Sequence, residues 1–124
     1  MQNQKVYRVL DLDEYTYSAD PHEKVGSTYD GYPEDANIMS SEVENSDKHN
    51  VMIDLDFPAE LWESSTPGHH HLYIEKEMSW DEYKDLLQAL AKAGLIEEGY
   101  YSACIERGFT SLRLPHVKKK AKEK

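Results

Sequence analysis

The chain has 124 residues, a formal net charge of −10 and 39% apolar residues, so it can build one domain around one modest core. This acidity argues against bulk electrostatic attraction to nucleic acid or to anionic membrane surfaces. The only cysteine, Cys104, excludes an internal disulfide, and no apolar run approaches the roughly 18 residues that a membrane span needs. We therefore expect a soluble, cytoplasmic protein that does not bind membranes.

Charge is distributed unevenly along this expected single domain, residues 1–124. Residues 1–66 hold 15 acidic and 4 basic residues, a net charge of −11, whereas residues 67–124 hold 9 and 10, a net charge of +1. Residues 116–124, "HVKKKAKEK", form a basic tail. The sequence therefore predicts an acidic body followed by a basic end.

The first predicted element is a strand in "KVYRVLDL", residues 5–12, which is rich in β-forming residues. Residues 13–49 are polar and rich in turn-forming residues, and they show neither strand nor helix periodicity. Such a composition buries too little apolar surface to offset the entropy of ordering the chain. We therefore predict a long, mobile loop with little regular structure over residues 16–48.

A second strand is predicted in "NVMIDLDF", residues 50–57, where apolar and polar residues alternate. The alternation places Asp54 and Asp56 together on the face opposite Val51, Ile53 and Leu55. The next segment, "AELWESS", continues or re-forms an extended stretch, and "STPG" is typical of a turn.

A third strand is predicted in "HHLYIEK", which directly follows the "STPG" turn. Alternation along this strand directs Leu72 and Ile74 to the core and His69 and His71, with Tyr73, to the opposite face. The histidines would therefore share the open face of the sheet with the two aspartates.

The clearest element is a helix over residues 80–93. Ser79 and Glu82 have the spacing of a capping box, apolar residues recur at helical spacing from Trp80 to Ala91, and Gly94 follows the helix as its stop signal. A shorter helix is expected over residues 101–107, before Gly108.

A last strand is predicted in "FTSLRLP", residues 109–115, with Leu112 and Leu114 inward and Arg113 on the other face. The order of elements predicts an α+β fold, in which a small, mostly antiparallel sheet carries the main helix and the short second helix on one face.

Two groups of residues suggest metal chemistry. Carboxylates two apart on a strand, such as Asp54 and Asp56, can share a hard cation such as Mg²⁺ or Mn²⁺, although in so acidic a chain such a pair also arises as ordinary solvated acids. Adjacent histidines on a strand diverge, so of the three only His69 and His71 could share a zinc ion.

Two arginines suggest phosphate binding. Arg107 and Arg113 could each bind a phosphate group, although the simpler interpretation of each is an ordinary surface cation. The sequence contains no Gly-rich phosphate loop and no recognisable Ser-His-Asp arrangement.

Taken together, "MIDLDFPAELWESSTPGHHHLYI" and "RGFTSLRLPHVKK", within residues 51–117, resemble the archaeo-eukaryotic primase superfamily, especially RepB-type primase-polymerases and their phage relatives. The resemblance implies that Asp54 and Asp56 bind the catalytic metal and that His71 contacts the phosphates of the incoming nucleotide. It also implies a phosphate-binding role for Arg113. The chain departs from the family at the Gly and Asn of the "RLPG…N" segment and at the third acidic position, where Glu106 is a poor substitute.

Two function classes follow from these observations. The resemblance implies a small, phage-type protein with metal-dependent nucleotidyltransferase-like activity, which binds nucleotide or nucleic acid in the host cytoplasm. The acidic composition instead favours a non-catalytic interaction protein, which mimics nucleic acid or blocks a basic host protein. Metal and nucleotide binding distinguish the two classes, and nothing in the sequence indicates an oligomeric state.

Overall fold

The computed structural model describes residues 5–9, 23–28 and 33–117, and it confirms an α+β fold. The chain divides into two compact units, unit 1 (Met1–Asp54) and unit 2 (Leu55–Lys124), where the sequence suggested one domain. The strands likewise belong to two antiparallel sheets, one of three strands and one of two.

Unit 1 contains the three-stranded sheet, formed by β1 (Lys5–Val9), β2 (Glu23–Thr28) and β3 (Ile38–Val43). The predicted first strand is confirmed as β1, which is the central strand of the order β2-β1-β3. Its consecutive residues Val6 and Tyr7 are both buried. Because successive strand residues point to opposite faces, both sides of β1 are shielded from solvent.

The prediction of little regular structure over residues 16–48 is wrong where β2 and β3 form. Both strands pair with β1 in antiparallel register, and each pairing contains an irregularity in the register. The hydrogen bonds that stabilise these two strands come from β1, which is distant in sequence. Local composition therefore does not predict β2 and β3. Residues 10–22 and 29–32, and any mobility there, lie outside the described residues, as does most of the basic tail.

Unit 2 begins its regular structure with a hairpin of β4 (Ala59–Glu63) and β5 (His70–Ile74). Its connection contains the predicted turn, in which the His69 amide donates to the Thr66 carbonyl at 3.0 Å. Pro67 precedes Gly68, whose φ of 80° lies in the left-handed region that favours glycine, so the geometry is that of a type II turn. The turn and the third predicted strand are therefore confirmed.

Two predicted strands do not form. Residues 51–58 and 110–114 have no regular secondary structure, although "NVMIDLDF" and "FTSLRLP" both show strand-like alternation. Residues 51–60 are exposed throughout, so the alternation of "NVMIDLDF" does not correspond to a buried face. A strand needs a hydrogen-bonding neighbour, which alternation alone does not provide.

The two helices of unit 2 are α1 (Trp80–Lys92) and α2 (Glu98–Arg107), and they contact each other. Helix α1 begins with the predicted capping box of Ser79 and Glu82. The main helix is thus confirmed within one residue of its predicted end, whereas α2 begins three residues before its predicted start. Helix α2 ends at Gly108, which has a φ of 85°.

The helical core of unit 2 is small. Its buried residues are Leu87 and Ala91 of α1 and Cys104 of α2. Leu90, which belongs to the predicted apolar stripe of α1, is only half-buried. In the part of the chain that the structure describes, both helices are too short and too polar to span a bilayer.

Candidate functional site

The turn at Thr66–His69 sets the register of the hairpin and places the three consecutive histidines in different surroundings. His69 closes the turn through its amide. His70 pairs with Glu63 across the hairpin, and His71 pairs with Trp62. Because side chains alternate along a strand, His70 and His71 point to opposite faces of the hairpin.

His71 contacts the backbone of a distant segment. Its Nδ1 atom lies 3.2 Å from the carbonyl oxygen of Arg113, 42 residues away in sequence. A carbonyl oxygen can only accept, so Nδ1 carries the hydrogen in this contact. The other ring nitrogen, Nε2, is then the one that can engage a ligand.

Trp62 shares this contact. Its indole Nε1 donates to the same Arg113 carbonyl oxygen at 3.0 Å, and its ring meets the His71 ring edge-on, with centroids 5.6 Å apart. Both lone pairs of one carbonyl oxygen are therefore engaged by two side chains of the hairpin. We call Trp62, His71 and the Arg113 carbonyl the Trp–His clamp.

Trp62 is not among the candidate residues that the sequence suggested. The signal that could have identified it is the turn, because pairing outwards from Ser64 and His69 brings Trp62 opposite His71. The hydrogen-bond partner could not be found in this way, since Arg113 lies in a segment without regular structure.

The burial of β5 differs from the prediction at Leu72 and His71. Leu72, expected in the core, is 51% exposed, and its cross-strand partner Leu61 is 66% exposed. His71, expected on the open face, is half-buried beside Trp62. The prediction that Leu72 lies in the core is wrong. The segment that covers the hairpin contacts it through a polar backbone group and not through the leucine side chains. Ile74 is half-buried.

The two candidate metal ligands do not lie on a strand. Asp54 and Asp56 are exposed in irregular backbone, and Asp54 is the last residue of unit 1 while Asp56 lies in unit 2. Their carboxylates are therefore not aligned by a strand. Among the described residues, no group of three or more His, Cys, Asp or Glu side chains is placed to hold a metal ion.

The two candidate phosphate-binding arginines differ in their surroundings. Arg113 is exposed and contributes its backbone carbonyl to the clamp. Arg107 ends α2, and its guanidinium carbon lies 5.8 Å from the centroid of the Phe109 ring, a cation–π contact. Of the predicted site residues, the structure thus brings together His71 and Arg113.

The groups with shifted pKa values are not members of the clamp. Burial, with a smaller contribution from Cys104, raises the pKa of Tyr100 to about 12. Hydrogen bonds from the backbone and hydroxyl of Ser79 lower the pKa of Glu82. In unit 1, a hydrogen bond to Glu42 raises the pKa of Arg8.

Comparisons with protein-family models, with curated proteins and with solved structures each found no match for this chain.

Proposed function

We propose that this chain is a non-catalytic, acidic interaction protein that binds a basic surface of a partner protein. The observation that carries the proposal is the charge of unit 1. This unit contains 12 acidic and 4 basic residues, a net charge of −8. Unit 2 has 12 acidic and 10 basic residues, a net charge of −2. The negative potential therefore belongs mainly to unit 1.

Several carboxylates in the described part of unit 1 face solvent. Arg8 binds Glu42 through two hydrogen bonds, of 2.7 and 3.0 Å, and so neutralises one carboxylate. Glu34, Asp35 and Asp47 are exposed. Exposed carboxylates of one sign steer a basic protein towards them and compete with the phosphates that such a protein otherwise binds.

Competition for a basic protein tests the proposal. We would bind a fluorescent DNA duplex to a sequence-nonspecific, basic DNA-binding protein and follow the anisotropy while the intact chain is added. We expect the chain to displace the duplex, less effectively as salt is raised, because salt screens interactions between exposed charges.

The matched controls are two triple variants that remove equal charge from the two units. Glu34→Gln, Asp35→Asn and Asp47→Asn should weaken displacement, whereas Glu75→Gln, Glu77→Gln and Asp85→Asn, all at exposed positions of unit 2, should weaken it less. Equal effects of the two variants, or no displacement by the unmodified chain, would contradict the proposal.

A second candidate is the primase-like function, with binding of a divalent metal and a nucleotide. The observation that favours it is the contact between His71 and Arg113, the two residues to which the resemblance assigns phosphate binding. A phosphate group would accept one hydrogen bond from the Arg113 guanidinium, and a second from Nε2 of His71 when the imidazole carries a hydrogen on both nitrogens. Asp54 and Asp56 would supply the metal ligands in this function.

Calorimetry with Mn²⁺ and a nucleoside triphosphate tests this second function. If it is correct, His71→Ala weakens nucleotide binding, Asp54→Ala removes the metal dependence, and His69→Ala changes little. Because His71 also belongs to the clamp, the melting temperature of each variant must be measured alongside. Absence of metal and nucleotide binding by the intact chain would contradict this function and leave the acidic-interaction proposal standing.

A further inference from the structure

One face of the β4–β5 hairpin has an apolar, exposed centre. Register and alternation place Ala59, Leu61, Glu63, His70, Leu72 and Ile74 on this face, which we call the leucine face. It is opposite the side that carries Trp62 and His71. Leu61 and Leu72 form its centre and are 66% and 51% exposed. A two-stranded sheet is marginally stable until a further layer covers its apolar face.

The pairing register makes the leucine face complementary to itself. Consider two hairpins packed face to face around a twofold axis that runs parallel to the strands. This rotation keeps each residue at its level along the strand and exchanges the two strands, so β4 of one copy lies over β5 of the other. Residues that are partners within one hairpin, such as Leu61 and Leu72, then also face each other between the two copies.

The facing pairs match in size and in hydrogen bonding. Leu61 meets Leu72 of the second copy in the centre, and the small Ala59 meets the larger Ile74 on one side. On the other side, the Glu63 carboxylate meets the His70 imidazole, whose N–H can donate to it. Each pair occurs twice, as a twofold interface requires.

We propose that the leucine face binds a second copy of this chain in this arrangement. The sheets would lie about 10 Å apart, as packed sheets do. Strands of five residues are about 17 Å long, so the face covers a few hundred square ångströms, less than the roughly 800 Å² per partner of a standard interface. The dimer is therefore weak and forms at high protein concentration. It uses a different surface from the acidic residues of unit 1.

Sedimentation equilibrium of the full chain tests the proposal. Two copies that each carry a net charge of −10 repel, so the measurement is made at 0.15 M salt or above, where the screening length is about 8 Å or less. We expect the average mass to rise from 14.4 kDa towards twice that value between micromolar and millimolar protein. A monomer throughout this range overturns the proposal.

A pair of leucine variants locates the interface. Leu72→Asn should weaken association at least about 10-fold, since each dimer contains two copies of this leucine. The matched control is Leu114→Asn, because Leu114 is 57% exposed but adjoins Arg113, on the side of the clamp. It should leave association unchanged. Equal weakening by both variants, or weakening by Leu114→Asn alone, overturns the proposal.

Charge exchange tests the twofold arrangement itself. Glu63→Lys places a second donor opposite His70 of the other copy, and His70→Glu places two carboxylates together, so each single variant should dimerise less than the original chain. A mixture of the two variants should restore association. In the mixed dimer the introduced lysine of one chain faces the introduced glutamate of the other, and the remaining His70 faces the remaining Glu63.

Within each variant chain the mismatch between β4 and β5 persists in the mixture, so an effect on the hairpin alone cannot produce the recovery. Association in the mixture that equals the mean of the two single variants overturns the arrangement.

Discussion

The helix pair and the hairpin of unit 2 differ in the exposure of their apolar residues. Helices α1 and α2 contact each other and bury Leu87, Ala91 and Cys104. The hairpin leaves Leu61 and Leu72 mostly exposed. A helix with one apolar stripe needs one neighbour, whereas a two-stranded sheet has two faces, and here the clamp engages the face opposite the leucines. The exposed Leu61 and Leu72 are therefore a candidate binding surface, whereas the buried residues of the two helices are a core.

We expect the greatest loss of stability from a substitution in the core of the helix pair. Leu87 is 4% exposed, so Leu87→Ala should lower the free energy of unfolding by about 2–5 kcal/mol, through lost burial and the cavity that remains. Urea denaturation measures the loss. Leu86→Ala is the control, because Leu86 lies on the same helix and is 41% exposed, and equal losses for the two variants would contradict the assigned core.

The cap of α1 should have the next largest effect. Ser79→Ala removes the hydroxyl that accepts from the Glu82 amide, and we expect a loss of about 0.5–2 kcal/mol in the free energy of unfolding. Ser102→Ala, at an exposed position within α2, should be nearly neutral. If Ser102→Ala destabilises the chain as much as Ser79→Ala does, the capping contribution is refuted.

The same cap predicts a dependence on acid. The Ser79 bonds lower the pKa of Glu82 in the folded chain, so their stabilisation is present above the ordinary pKa of a glutamate. It is lost as pH falls through the lower, folded pKa. The difference in stability between the original chain and Glu82→Gln should therefore shrink in that range, and a difference that stays constant with pH would argue against it.

The clamp should contribute less than the core. Trp62→Phe keeps an aromatic ring and removes the donor to the Arg113 carbonyl, so we expect a loss of about 0.5–1.5 kcal/mol in the free energy of unfolding. Because Trp62 and His71 donate to one oxygen, the losses of Trp62→Phe and His71→Ala should not add in the double variant. Simple additivity would show that the two side chains act independently.

The ionisation of Tyr100 at alkaline pH is a second test of the packing of the two helices. Burial raises its pKa from an ordinary value of 10.0 to about 12, so its stabilising effect is complete below pH 10 and is lost as pH rises to 12. The original chain should lose more stability over this range than Tyr100→Phe does, as followed by circular dichroism during thermal unfolding. Parallel losses in the two proteins would contradict the assignment.

The smallest effect is expected on the hairpin. Leu61→Ala should change the free energy of unfolding by less than about 0.5 kcal/mol in dilute, monomeric protein, because the side chain is already mostly in solvent. A loss as large as that of Leu87→Ala would mean that the leucine face is covered within the chain, and the contrast between the helices and the hairpin would disappear.

Local signals in the sequence are sufficient to predict several elements of unit 2. Ser79, Glu82 and Gly94 delimit α1, Gly108 ends α2, and the turn at Pro67 and Gly68 defines the start of β5. These signals depend on hydrogen bonds and backbone conformations within about four residues, so the residue types are sufficient to predict them.

Contacts between segments far apart in the chain select which extended segments become strands and which β5 side chains are exposed. The strands β2 and β3 form because β1 pairs with both, whereas "NVMIDLDF", with Asp54 and Asp56, alternates like a strand but remains irregular. His71 is half-buried and Leu72 exposed because the Arg113 carbonyl, 42 residues from His71, accepts hydrogen bonds on the clamp side. Strand pairing and the clamp join residues that are far apart in sequence. Alternation of apolar and polar residues indicates that a strand has two different faces, but it does not indicate which face another part of the chain covers.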